Sequence, residues 1–226
     1  MSDPPPQAAS PNVVSPLFDA ERDVVTDAAA LQGLAHPLRL RLLGLLRVYG
    51  PSTATKLAAH CGESSGLTSY HLRQLAAAGF VVDADATDLA EHVATGGRER
   101  WWKAARRSTY TQSPPADDVA AVAATEDYLH AVLSANVDSA RRWLSNAYAW
   151  PQEWQDVSTF SDLPLRLTLA EARQLEIDVA ALLARYRRND PDLHPGTDGV
   201  PAEAVVYAAQ YQLFPRPDQD PPGLPS

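Results

Sequence analysis

The sequence predicts a mainly α protein of the α+β class, with a small four-helix unit ending in a β-hairpin, then a long helix, then a small C-terminal α/β unit. Three observations predict it. Leucines recur at helical spacing from Leu31 to Leu75 between clear stop signals, and residues 117–147 contain neither Gly nor Pro. In addition, Leu163, Leu165 and Leu167 alternate with Pro164 and Arg166 just ahead of a T-x-x-E capping box, Thr168 to Glu171.

Residues 1–22 hold five prolines in the first sixteen positions and no apolar period, so a disordered arm is expected. Thr26 is placed to cap a short helix carrying Ala30, Leu31 and Leu34. His36-Pro37 breaks it and puts a proline in the first turn of a second helix, whose Leu38, Leu42, Leu45 and Leu46 share one side until Gly50-Pro51. Thr53 should cap a third, with Leu57, Ala58 and Cys61 inward and Gly62 closing it. After the tight connection Glu63 to Ser65, a fourth helix buries Thr68, Leu72, Leu75 and Gly79 and turns Ser65, Ser69, Tyr70, Arg73 and Gln74 outward. Phe80-Val81-Val82 and Arg98 to Lys103 read as two strands joined by a long loop, with one of Trp101 and Trp102 on the core. Helix, tight turn, helix, hairpin is the order of a winged helix-turn-helix, here over residues 23–107.

Residues 115–150 then read as a long linking or dimerising helix with Val119, Val122, Tyr128, Leu129, Val132, Val137 and Leu144 as a broken stripe. Beyond Trp150-Pro151 the pattern becomes α/β over residues 151–215. The edge strand at Leu163 to Leu167 leads into a helix with Leu175, Val179, Leu182 and Tyr186 on one face, and Val205 to Phe214 reads as a last strand. Residues 216–226 read as a disordered tail.

A chain of 226 residues, 45% apolar, can bury a substantial core. No apolar run approaches a membrane span, the start lacks the basic-then-apolar order of a leader, and one cysteine rules out an internal disulfide. A cytoplasmic protein is expected. Its net charge of −9 looks unfavourable for nucleic acid, yet residues 31–107 carry ten Lys or Arg against six Asp or Glu. A basic module sits inside an acidic chain.

Three segments resemble the ArsR-type family of bacterial winged-helix regulators: Ala35-His36-Pro37-Leu38-Arg39-Leu40-Arg41-Leu42-Leu43, Ser69-Tyr70-His71-Leu72-Arg73-Gln74-Leu75 with Gly79-Phe80-Val81, and Gly97-Arg98-Glu99-Arg100-Trp101-Trp102. The region from Trp150 to Trp154 through Leu163 to Arg188 resembles the C-terminal part of a subset of such regulators. The resemblance implies transcription regulation by a homodimer on a palindromic operator in double-stranded DNA.

The residues expected at DNA are Thr53, Ser65, Ser69, Tyr70, Arg73, Gln74, Arg98 and Arg100. Arg73 can offer two donors to guanine and Gln74 can pair with adenine; Ser69 and Tyr70 can reach base edges or phosphate, and the two wing arginines can hold phosphates. Asp83, Asp85, Asp88 and Glu91 oppose phosphate, so only the second arm of the wing is expected at the backbone. His71 reads as structural. Metal sensors of the family place a cysteine pair where this chain has Ala58 and His60, and the later helix offers only His130 near Glu126 and Asp127, too few for zinc. Cys61 reads as a small buried residue. No metal, cofactor or catalytic site is expected, since phosphate-loop, nucleophile-elbow and H-E-x-x-H motifs are missing. Tyr128, Trp143, Tyr148, Trp150, Trp154 and Phe160 gather where the long helix meets the last unit, either as glue between domains or as a pocket for a small apolar effector. A competing reading makes the chain a protein-interaction module or a metal-responsive repressor, with DNA binding secondary.

Overall fold

Leucine repeats make the first half cohere. The computed structural model describes residues 15–85, 99–186, 188–190, 196 and 199–218. After β1 (Asp23–Thr26) come α1 (Ala28–Leu31), α2 (Pro37–Tyr49), β2 (Ser52–Thr53), α3 (Ala54–Cys61) and α4 (Ser65–Ala77). Leu34, Leu38, Leu42, Leu43, Leu46, Leu57, Leu72 and Leu75 form one core with Phe80, Val81 and Trp102. Each fully buried Leu contributes on the order of 2 kcal/mol from transfer out of water, and this cluster is what holds the helices in register. Just past α1, Gly33 lets the chain pass close to the residue that ends α4: a Cβ there would lie 2.4 Å from Ala78 Cβ.

Two details differ from expectation within these helices. Asp27 caps α1 by accepting the Ala30 N–H at 2.9 Å, because Thr26 is committed to β1. On α2 the buried face turns toward Leu43 and leaves Leu45 half-buried. Gly79, expected inside, is exposed with φ of 78°, a left-handed position that ends α4 and turns the chain into the hairpin.

The hairpin strands are β3 (Val81–Asp83) and β4 (Trp101–Ala104), antiparallel with Val82 opposite Lys103. β2 adds on the other side of β4, giving the order β2-β4-β3. Trp102 is 3% exposed and Trp101 half-buried, the expected alternation. A further strand, β5 (Ser108–Thr111), pairs parallel with β1, Asp23 opposite Ser108. Neither β1 nor β5 was anticipated, since four-residue strands lacking a tight turn between them leave no hairpin signal.

The charges around β1 explain why residues 15–22, placed in the expected arm, are held. The Asp23 side chain is fully buried and takes Arg107 Nε and Arg188 Nη1, each at 3.3 Å. Burial alone would raise its pKa, but the Arg107 hydrogen bond, the Asp19 N–H and the charges of Arg188 and Arg107 hold it below the ordinary value. Phe18 packs edge-on to Tyr110, and Arg188 also donates to Leu17 O and Ser108 Oγ.

α5 (Val119–Asn146) is the expected long helix, continuous over its length and capped by Asp118. Ala124 and Ala131 are buried and Tyr128 packs against the first core; the helix contacts α1 and α2. Leu129, Leu133 and Leu144 remain exposed. α6 (Gln152–Asp156) and α7 (Leu169–Ala184) follow, with the capping box Thr168–Glu171 formed as expected.

The small α/β unit is a correction. Residues 163–167 and 205–214 form no strands; Leu163 is 76% exposed and Phe214 69%. Alternation marks a residue pattern suited to a sheet, but a ladder also needs a partner edge, and neither segment has one among the described residues. On α7 only Ala180 is buried; Leu182 and, two residues past the helix, Tyr186 stay exposed. Near the end of the described residues, Tyr207 Oη donates to Val157 O and Gln210 Nε2 donates to Asn136 Oδ1 of α5.

Candidate nucleic-acid interface

α3, the turn Gly62–Ser64 and α4 form the helix-turn-helix. Gly62 closes α3 with φ of 71°, a left-handed conformation in which its N–H reaches Ala58 O. Arg41 of α2 donates to the His60 and Cys61 carbonyls at 3.0 and 3.1 Å, placing a cation at the negative end of α3. Burial pushes the Cys61 thiol pKa up, consistent with a packing residue. Ser64 then starts α4 by accepting the Leu67 N–H.

α4 buries Thr68, His71, Leu72 and Leu75. The opposite side follows from helical spacing: Ser65, Ser69 and Arg73 form one row, Tyr70 and Gln74 the next. Ser65, Tyr70, Arg73 and Gln74 are exposed and Ser69 is half-buried. All five helix residues named from sequence therefore lie on the outward half of α4. His71 faces inward, its ring 4.4 Å from that of His36, whose Nδ1 accepts the Leu38 N–H. Burial, then the charges of His36 and Arg39, lower the His71 pKa.

Ser69 and Arg73 line a concavity of about 250 Å³ with Thr53, Thr55, Glu99 and Arg100. Helix and wing strand thus flank one groove. Thr53, expected at DNA, is instead 1% exposed, and its hydroxyl accepts the Lys56 N–H. That side chain caps α3, and its burial leaves little of it to meet a ligand in the concavity it borders. Arg98 lies outside the described residues, as do Asp88 and Glu91.

Arg100 is held more firmly than its sequence position suggested. It forms a two-pronged pair with Asp83 across the hairpin, Nη2 to Oδ2 at 2.9 Å, and its guanidinium lies 3.9 Å from the Trp102 ring centroid. That hydrogen bond keeps the Asp83 carboxyl below its ordinary pKa. Sequence reasoning also missed two residues at the start of α3. Lys56 Nζ stands 4.4 Å from the Trp101 ring centroid, and the Thr55 hydroxyl donates to Glu99. A polar pair in the first turn of a helix, where backbone N–H groups point outward, was the available signal.

Among the described residues no three His, Cys, Asp or Glu side chains come together to hold a metal, and no helix is long and apolar enough to cross a membrane. The aromatics at the end of α5 and beyond it pack edge to face: Trp143 with Trp150 at 5.7 Å and Trp150 with Trp154 at 6.2 Å, with Tyr207 tilted against Trp154 at 6.5 Å. No curated protein matches the chain. Residues 34–83, from the end of the first leucine run to the last residue of β3, match the model of a family described as a helix-turn-helix domain, and with the geometry above they make this segment a helix-turn-helix of the DNA-binding kind.

Proposed function

We propose that the protein is a sequence-specific, ArsR-like transcriptional regulator that acts in the cytoplasm as a homodimer on a two-fold operator in duplex DNA. The observation that carries this is the outward face of α4, where Ser65, Ser69, Tyr70, Arg73 and Gln74 stand clear of the core beside a groove bounded by Arg100. A helix so presented fits the major groove, and its arginine and glutamine supply bidentate partners for guanine and adenine. One winged helix covers few base pairs, so two are needed for a usable site.

Support for the second copy comes from apolar surface. Leu129 and Leu133 on α5 and Leu163, Leu165 and Leu167 beyond it are 44 to 76% exposed, apolar surface that a second copy would cover. We read the edge-to-face tryptophans as a joint between elements rather than as an apolar effector pocket, because each ring packs its edge against the next.

Retention of genomic fragments on the purified protein, followed by sequencing, should return one two-fold motif. On that motif Arg73→Ala and Gln74→Ala should each cost about 1–3 kcal/mol and relax one or two base preferences, with random duplex barely affected. Equal losses on both DNAs would overturn α4 as the reader. Light scattering that gives a single-chain mass with and without DNA would overturn the dimer.

A further inference from the structure

A second concavity, of about 280 Å³, lies at the other end of β4, between the last turn of α2 and the turn joining β4 to β5. It is at the small end of the range for ligand pockets. Its lining is unusual in an acidic protein. Among the described residues Arg22, Arg47, Lys103, Arg106 and Arg107 face it, against Glu21 and Asp190. Several cations around one hollow raise its potential and favour a compact anion over solvent.

The existing ion pairs do not use up this charge. Arg22 is bound to Asp190, while Arg107 is bound to Asp19 and Asp23. Arg47 is half-buried, and its guanidinium donates to the Arg106 carbonyl at 3.0 Å and the Thr109 hydroxyl at 2.8 Å, both neutral. Burial pulls its pKa down to about 10, so it remains charged at neutral pH while lacking the hydration an exposed guanidinium would have. Arg106 is exposed, and its side chain donates only to the adjacent Ala105 carbonyl among the bonds described. A half-buried cation satisfied by neutral acceptors, beside an exposed one on a tight turn, is the donor arrangement that phosphate or carboxylate oxygens complete.

We propose that this concavity is a binding site for a small multivalent anion bearing a phosphate group or clustered carboxylates. It is separate from the α4 groove: the residues lining the groove end at Trp102 on β4, and those lining this hollow begin at Lys103.

Isothermal titration calorimetry on the full chain tests it, using inorganic phosphate in one arm and citrate in another, with sodium chloride at matched ionic strength as the blank. The expected result is one saturable site per chain for at least one of the two, and the stronger arm identifies the anion class. Arg106→Gln, which removes an exposed side chain with no core contact, should weaken that binding about threefold to fivefold, and Glu21→Gln should tighten it by a similar factor. Heats no larger than the chloride blank would overturn the site, as would unchanged affinity in both variants. Random-duplex affinity is measured on the same proteins without added anion. If Arg106→Gln lowers its salt slope, the cluster is a DNA-backbone contact and the small-anion site is refuted.

Discussion

Replacing Asp83 by Ala should make the protein bind DNA more tightly, the reverse of what loss of an ion pair usually suggests. In the wild type a phosphate must displace Asp83 before it can take both prongs of Arg100, since the carboxylate already holds Nε and Nη2. Both side chains are more than half exposed, at 55% and 62%, so water and salt already compete with the pair and its contribution to folding is small. Trp102 keeps the guanidinium in place after the substitution, because the ring contact does not involve Asp83. The variant therefore presents one more pre-positioned cation to the backbone. One added phosphate contact steepens the dependence of log affinity on log salt by about 0.9, which over a fourfold salt range amounts to roughly a 3.5-fold difference between the ends. Fluorescence anisotropy on a random duplex at four salt concentrations between about 50 and 200 mM measures it. The double variant Asp83→Ala with Arg100→Gln should lose the gain. If Asp83→Ala shows the wild-type slope and affinity, the wing strand does not meet the phosphate backbone and the groove reading of Arg100 is wrong.

Three further outcomes follow from the buried polar groups. Asp23→Asn should destabilise the fold by about 3 kcal/mol in urea unfolding at pH 7, because Arg107 and Arg188 lose their buried counter-charge. The Asp23 carboxyl has its pKa lowered in the folded state, so its contribution is present above the unfolded value near 4 and is lost as pH falls through the folded one; the variant should lack that acid-side loss. His36 and His71 are also held below their ordinary values by burial, so the unfolded chain takes up protons first and stability should drop as pH falls below about 6.5. His71→Phe should shrink the difference in urea midpoint between pH 7.5 and 5.5, and an unchanged difference would refute the assignment. Thr53→Val should cost about 1 kcal/mol of stability through the lost cap, while DNA affinity of the folded protein stays at the wild-type value; a loss of affinity without loss of stability would restore Thr53 as a contact.

What the sequence made legible was whatever is decided locally. Thr53, Gly62 and the Thr168–Glu171 box act within a turn of helix, and the α4 leucines fix which side faces out, so these caps and the outward polar face of α4 were accessible from spacing, whereas the α1 cap shifted from Thr26 to Asp27 once Thr26 joined β1. What it hid depends on partners distant in the chain. β1 finds β5 across the whole helix-turn-helix, and Asp83 meets Arg100 across a loop of unrelated sequence. The alternating leucines at 163–167 misled for the same reason, since period two describes a strand's faces and says nothing about whether another edge is there to pair with it.

The parallel pairing of β1 with β5 also bears on the order in which the domain assembles. Asp23 and Ser108 are neighbours in space but 85 residues apart, and closing so long a loop by itself costs about 4 kcal/mol of chain entropy. Two four-residue strands offer too little to meet that cost alone, so their contact is expected to follow the leucine core, which brings the ends close first. The pair then works as a clasp that forms late and opens early. Amide exchange should run faster at Val24 and Val25 than in α2, and deleting residues 15–26 should speed unfolding while hardly slowing refolding.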